Sequence, residues 1–469
     1  MDIKLLALIS LNYCSTYLAY SFFPPYLPKI AHDEVGLGES TIGMIMSFWY
    51  VGYSACAVLM SHILRYTGRK NAVILGLILL SFDFILASLC TKMKTETTFV
   101  ISFCFVRFLN GVSQAFVQVT TYCIIATCFR ENIAKVVGII EFSWGTGIAI
   151  GPLLNEFLYN SGGFHLPCYV HAGLMLVLSG VTWLFMTENI EGHSEDDDET
   201  KDFHQTDSSI SMQSIDQDNR DKISFMELFT YKLFIFGLLC SFFNLILYTL
   251  LEPLLTNRLL EMGVKEKNLG EYFCIQPFVY SGISILVDTL ILKHMSKRLC
   301  LILGFIVFAI GFLFTGPSAI IMIEPSLHVV CLGLVLLGIG CSLSFVPIFP
   351  ELIESVISDY TDRVEDLNNT VASIMNASYG SAALGQLIGG FLTQHLNFVR
   401  TCEIFGLVSF AFAIIYLVFG HLPTLKARVV KMEEVKDEEK TRESNDIQIK
   451  MDTETNRSED VGGHEILYD

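Results

Sequence analysis

The chain has 469 residues, of which 52% are hydrophobic and only 17% charged, where soluble domains carry about 25%. The net charge of −18 comes from dense runs such as 195–199 and the stretch after Lys426, which read as solvated, disordered segments, not as surfaces for cationic partners. Stretches such as 72–90 carry almost no charge, and this segregation excludes an ordinary soluble domain, since a charge at mid-bilayer costs several kcal/mol.

Apolar runs of about 17–25 residues predict helices over 4–25, 41–64, 72–90, 99–128, 136–159 and 168–187. A second set follows over 231–255, 271–292, 299–316, 327–350, 370–395 and 401–421. The first run lacks a basic n-region and a small-x-small cleavage site, so it reads as a span, not a signal peptide. Residues 188–230 and 422–469 are too polar to build a core. The expected organisation is an N-terminal six-helix bundle (1–187), a polar linker (188–230), a C-terminal six-helix bundle (231–421) and a disordered tail (422–469). The fold class is an all-α membrane protein of about twelve transmembrane helices in two pseudo-symmetric bundles.

Orientation follows from basic residues. Arg65, Arg69 and Lys70 lie after the second helix, Arg130 and Lys135 after the fourth, and Lys293, Lys297 and Arg298 after the eighth. The positive-inside rule puts these loops in the cytosol, and an even helix count puts the linker and both termini there too. Lys92, Lys94, Arg258, Lys265 and Lys267 in the opposite loops make the bias moderate. The sequons at Asn368, Asn376 and Asn456 then fall within the membrane or on the cytosolic side, away from glycosylation.

An internal repeat relates the two helix sets. Residues 20–27 align with 248–255, 36–43 with 263–270, and Arg69-Lys70 with Lys297-Arg298, all at an offset of 227 or 228. Gly151-Pro152-Leu153-Leu154 then matches Gly385-Gln386-Leu387-Ile388 at 234. Four ordered matches at a near-constant offset indicate a duplicated six-helix unit. Duplicated halves are a common framework for alternating access around a mid-membrane site. Thirteen cysteines stand singly with no CxxC pair, which suggests neither a metal site nor a disulfide framework. There is no phosphate-binding loop of an ATP-driven pump and no catalytic triad. Neither enzyme activity, a cofactor, a metal nor a nucleic-acid partner is expected; the expected partners are a small-molecule substrate, protons and the lipid bilayer.

Three motifs carry a resemblance. The run from Gly145 through Gly147 to Gly151-Pro152 is similar to the GxxxGP signature of the drug:proton antiporter-like branch of the major facilitator superfamily. Gly147 and Gly151, four apart, flatten one helix face for a neighbouring backbone, and Pro152 adds a point of bending. Where that pattern continues with two glycines, this chain has Asn155 and Glu156, while Gly389-Gly390 supply the pair in the second half, after Gly385. Gly68-Arg69-Lys70 resembles the end of the superfamily's loop signature, with Arg65 and Ser61 in place of its aspartate and leading glycine. Arg107 to Gly111 resembles the RxxxG signature of proton-coupled members. More narrowly, 22–28, the run from Gly138 through Glu141 to Tyr159, and Leu251-Glu252-Pro253 resemble the vesicular amine transporter family, its polyamine branch above all. The resemblance implies proton-driven export of organic cations into an acidic lumen, across an intracellular vesicle or lysosome-like membrane in preference to the plasma membrane, by a monomer whose cavity is lined by helices 1, 4, 7 and 10. Monoamine members carry an aspartate within the first helix; here that region has Asn12, Cys14, Ser15 and Thr16, which speaks against monoamine transport.

Intramembrane ionisable residues are functional candidates. Glu141 either binds a proton or amine, or pairs with a loop cation such as Arg69 or Arg130. Glu252, beside Pro253, either gathers cations at the lumenal mouth or is solvated at the interface. Arg107 and Asp83 lie at similar depth, which suggests a buried ion pair, with Arg107 alternatively tuning a proton site. Asp288 reads as a helix-end charge near Lys293. Polar candidates for substrate contact are Asn12, Tyr20, Gln114, Asn244 and Tyr248, with Gln118, Gln276 and Asn376 reading as interhelical hydrogen bonds. The leading reading is a proton-coupled antiporter of small organic cations, polyamine-like amines first. Export of another small metabolite, an anion clamped by Arg107, and a non-transporting receptor or scaffold stay open as alternatives.

Overall fold

The computed structural model describes residues 3–129, 133–186, 223, 225–318, 322 and 324–423. Most of the expected linker, the tail beyond 423, Arg130 and the Asn456 sequon lie outside the described residues, as do the side chains of Ser61, Lys135, Asp288 and Asn376.

The first half folds as α1 (Ile3–Tyr20), α2 (Phe23–Val35), α3 (Glu39–Thr67), α4 (Arg69–Cys90), α5 (Glu96–Cys128), α6 (Ile133–Gly162) and α7 (His165–Phe185). After the single turn Phe225–Leu228 come α8 (Lys232–Thr249), α9 (Leu255–Glu261), α10 (Leu269–Phe273), α11 (Ile275–Leu286), α12 (Lys297–Thr315) and α13 (Leu327–Phe345). The described residues end with α14 (Ile348–Glu354), α15 (Val364–Ser378), α16 (Ala382–Leu396) and α17 (Phe398–Tyr416). Among the described residues, eleven helical stretches are long and apolar enough to cross a membrane. The chain is a multi-pass integral membrane protein with an all-α fold of about twelve helices. The run expected at 370–395 is present as α15 and α16, joined through the turn Tyr379–Ser381, where Ser378 and Gly380 interrupt the apolar pattern.

Proline explains two further differences from the expected boundaries. The helix anticipated over 4–25 bends at Ser21-Phe22, because Pro24 and Pro25 lack N–H donors and fit only the opening turn of a new helix. That helix, α2, runs on to Val35 and stops at Gly36, whose φ of 73° is left-handed, with its N–H on the His32 carbonyl at 2.9 Å. The helix anticipated over 231–255 ends at Thr249, so Glu252-Pro253 occupies a turn between α8 and α9.

By internal contacts the chain divides into two compact units, 1–413 and 414–469. The described part of the second is the end of α17 and the π-helical turn Leu417–His421. Within the first unit the repeat is visible in the packing. A Cβ on Gly151 of α6 would strike the Ser21 hydroxyl and come within 2.9 Å of the Leu18 carbonyl, and one on Gly147 would strike the Cys14 carbonyl. In the second half Gly385 of α16 meets the Ile246 carbonyl and, at 2.9 Å, the Thr249 hydroxyl, while Gly389 meets Leu250. Leu18 and Ser21 become Ile246 and Thr249 at an offset of 228, so corresponding glycines press on corresponding backbones. Large apolar side chains such as Phe157, Trp183 and Phe185 stand exposed on the outer faces, as a lipid solvent permits.

The two halves meet closely at one end. Thr256 donates to the Pro24 and Pro25 carbonyls (3.2 and 3.1 Å), Asn257 to Glu39 (2.6 Å), and the Ser40 N–H to Gln394 (2.9 Å). Lys29 bridges Asp33 of its own helix (3.1 Å) and Glu266 of the other half (3.2 Å). The opposite end carries Gly68-Arg69-Lys70 and Lys297-Arg298. There Gly138 and Gly282 face open space, where a Cβ would meet nothing within 4 Å, and Glu141 is exposed. Thus a sealed end and an open end are distinguished.

Candidate functional site

Beneath the sealed end the helices enclose a cavity of about 1040 Å³, its open mouth included. The bend after α1, the middle of α3, the Trp144–Pro152 stretch of α6, the α8–α9 turn, α11, α13 and Tyr379 contribute its wall. Aromatic rings dominate. Tyr20 packs on Trp49 (4.7 Å between centroids), Trp49 edges onto Tyr50 (4.6 Å), Tyr17 meets Trp144 (6.0 Å), and Trp144 meets Tyr280 (5.3 Å). Tyr248 follows Tyr280 at 6.5 Å. Among the described lining residues, Glu252 is the one carboxylate, and no Lys, Arg or His is present. Its Oε2 accepts from the Tyr20 hydroxyl (2.8 Å) and from Gln386 Nε2 (2.6 Å). The α8–α9 turn, created by Pro253, aims this carboxylate inward. Glu252 therefore belongs to the cavity wall, not to a lumenal mouth or a solvated interface.

Of the six residues read as substrate contacts, Tyr20, Asn244, Tyr248 and Glu252 line the cavity. Asn12 and Gln114 do not: Asn12 donates to Thr182 (2.9 Å) and Gln114 to Thr16 (3.1 Å), tying α1 to α7 and α5. Asn244 also donates to Ser344 at 2.6 Å. Gln276 lines the cavity, and Gln118 accepts from the Tyr17 hydroxyl at 2.5 Å.

The candidate proton-coupling residues are spread over the first half. Glu141 accepts a hydrogen bond from Tyr122, while Arg69 donates to Thr127 at 3.0 Å. Tyr122 edges onto Tyr13, which packs on Tyr17 (6.3 and 5.2 Å), so rings run from Glu141 to the cavity floor. Arg107 is fully buried, with its guanidinium over the rings of Phe23 (4.8 Å) and Tyr20 (5.5 Å). Its three nitrogens have no hydrogen-bond partner among the described residues. Asp83, equally buried, accepts from Asn110 at 2.7 Å. The ion pair suggested by their similar depth is absent, because rings face the guanidinium and Asn110 holds the carboxylate. Tyr20 thus stands between Arg107 and Glu252, its ring toward one and its hydroxyl on the other.

The motif glycines and prolines lie at packing positions. Gly68 has φ 71° at the α3–α4 junction, Arg69 and Lys70 open α4, and the Pro152 carbonyl is met by Gly270 of the other half. The wall residues Tyr17, Trp49, Tyr50, Trp144, Tyr280 and Tyr379 escaped the sequence reading, since rings from separate helices share no spacing. Gln386 was visible only as part of a repeat match. His171, fully buried against Asn155 (2.6 Å), was readable only as a lone histidine in an apolar run.

The sequence family described as Major Facilitator Superfamily matches residues 9–357. The chain belongs to the major facilitator superfamily. Among curated proteins it is similar to the human "MFS-type transporter SLC18B1", 24% identical over 393 residues that cover 83% of this chain and 80% of the relative. The rat protein of the same name is 23% identical over 417 residues (85% and 83%). Bacillus subtilis "Multidrug resistance protein 2" is 26% identical over 184 residues, 38% of this chain and 43% of that protein. Among solved structures, a D-xylose-proton symporter superposes with a TM-score of 0.65 at 13% identity, covering 89% of this chain and 97% of that one. The nucleoside transporter NupG gives 0.64 at 13% identity, covering 89% and 99%. This major facilitator chain is a membrane transporter of small molecules, not an enzyme.

Proposed function

We propose that this transporter exchanges protons for small organic cations, with polyamine-like amines as the leading cargo, by alternating access between the 1–187 and 231–421 bundles. The observation that carries the reading is Glu252, a single carboxylate set in a wall of aromatic rings. A protonated amine is stabilised there twice: by the carboxylate's charge and by the ring faces, each of which contributes about 0.5–2 kcal/mol to a desolvated cation. An anionic cargo is disfavoured, because Arg107 lies behind Tyr20 and not on the wall. The relatives' names agree with transport, and the resemblance to the polyamine branch supports the cargo.

Proton coupling requires a carboxylate whose ionised form opposes, and whose neutral form permits, the return through low dielectric. Glu141 suits that role at the open end, on the glycine-faced α6, with Asp83 and Arg107 buried elsewhere in the same half. Under the positive-inside reading the open end faces the cytosol and the sealed end the lumen of a vesicle or lysosome-like compartment, with the protein acting as a monomer. The test is a competition panel on the purified protein in proteoliposomes. Organic mono-, di- and triamines should compete with a labelled amine, and matched carboxylic acids should not. Competition by the acids alone would transfer the reading to anion export, and no uptake of any compound would favour the scaffold.

A further inference from the structure

The internal repeat sets Asn155 and Glu156 opposite Gly389 and Gly390 at the offset of 234. The second-half pair does what small residues do: Gly389 packs on Leu250, and Gly390 packs on the Glu39 carbonyl of the other half. The first half has replaced that pair with two polar side chains, and both are used. Asn155 is fully buried; its Nδ2 donates to the Leu18 carbonyl and the Ser21 hydroxyl (both 3.1 Å), and its Oδ1 bonds His171. It fixes the end of α6 to α1 and α7.

Glu156, one residue on, points the other way. Its Oε2 accepts the backbone N–H of Glu271 at 3.2 Å, and the adjacent N–H of Gly270 also faces it. The approach is close because Gly270 has no side chain: a Cβ there would strike the Pro152 carbonyl and come within 2.8 Å of the Glu156 Cβ. One turn further, Asn160 donates to the Lys267 carbonyl at 2.9 Å. The first half therefore grips the main chain of 267–271 in the second half, at the sealed end.

We propose that Glu156 is a latch that holds the sealed end shut, with Asn155 as the anchor that lets α6 bear the load and Asn160 as its second tooth. The proposal rests on alternating access, whatever the cargo. A main-chain grip depends little on the side chains of the partner segment, and it must release whenever the sealed end opens. The latch biases the resting population toward the state open at the other end, and so sets how often the cavity faces the sealed side.

The test uses native Cys341, which lines the cavity and is buried. A charged, membrane-impermeant maleimide applied from the sealed side reaches it only when that end opens, and peptide mass spectrometry reads its rate of modification. Glu156→Ala should raise the rate about tenfold, the effect of losing hydrogen bonds to a charged acceptor on a minor population. Glu156→Gln, which keeps an acceptor oxygen, should restore much of the slow rate. A glutamine rate as fast as the alanine rate assigns the grip to the negative charge and leaves the latch standing. An unchanged rate in Glu156→Ala overturns it. Should that variant fail to reach the membrane, Asn160→Ala decides by the same reading, with a faster rate expected and an unchanged rate overturning the latch. No substrate is needed, so an error in the cargo leaves this result intact.

Discussion

Glu252 receives hydrogen bonds from Tyr20 and Gln386 and shares the described cavity wall with no Lys, Arg or His, so on the proposed reading a cationic cargo would be the partner of its charge inside the cavity. Replacing it by glutamine keeps the shape and the acceptor oxygen while removing the charge. Charge-assisted hydrogen bonds contribute about 1.5–3 kcal/mol, and 1.4 kcal/mol is tenfold in affinity. Glu252→Gln is therefore expected to raise the apparent KM for amines by roughly tenfold to a hundredfold, measured as initial uptake at fixed pH gradient. An unchanged KM would remove Glu252 from the binding site. Trp144→Leu removes one ring that faces the cavity but no charge, and a several-fold weakening is expected from the lost cation–π contact; binding equal to the parent would mean that the cation sits elsewhere. Glu141→Gln should abolish the response to an imposed pH gradient. Normal gradient-driven uptake by that variant would move the proton site to Asp83 or Asp288. At this scale the sequence was informative where charge was rare. A carboxylate in an apolar run stands out as a candidate, as Glu252 and Glu141 do, but the place of Glu252 in the cavity wall, and not at a mouth, appears only once the helices are assembled. The tyrosines and tryptophans around them look like core residues until the helices are assembled. Asn12 and Gln114 show the converse: polar residues on expected cavity helices, they are engaged in tying helices together.

Helices in this fold approach through glycine, and the approach is selective. Gly151 and Gly385 lie against backbone in their respective halves, whereas Gly138 and Gly282 face open space. Overpacking a tight contact costs about 1–3 kcal/mol, while alanine in an unobstructed helix is favoured over glycine by about 1 kcal/mol. Gly151→Ala and Gly385→Ala should therefore lose most transport while still reaching the membrane, and Gly138→Ala should keep it. Uptake rates from the four variants with Gly282→Ala check this directly; full transport by Gly151→Ala would show that the α1–α6 contact yields freely. The elements themselves were largely legible because bilayer-spanning runs are long and apolar. Two of their ends were not. The α1–α2 bend and the α8–α9 turn depend on Pro24, Pro25 and Pro253, whose missing donors end a helix inside a continuous hydrophobic run. The α15–α16 interruption follows from small and polar residues that lower no single window enough to predict a break.

On the scale of the whole chain, the duplication was readable from four short matches, and corresponding glycines pressing on corresponding carbonyls express it in three dimensions. Which end is sealed was not readable, because the contacts that seal it join residues more than 100 positions apart, such as Asn257 to Glu39 and Asn160 to the Lys267 carbonyl. The orientation reading makes its own prediction: tags at Asp469 and within 195–210 should resist protease added to sealed vesicles whose lumenal face is outward, and cleavage from outside would invert the topology. The central claim is that a proton gradient drives an organic cation through the cavity around Glu252. Its most direct test is uptake of a labelled diamine into proteoliposomes, with the interior held acidic, neutral or alkaline. The account predicts accumulation above equilibrium only with the acidic interior, abolished when a protonophore collapses the gradient. Equal uptake under all three conditions would contradict it.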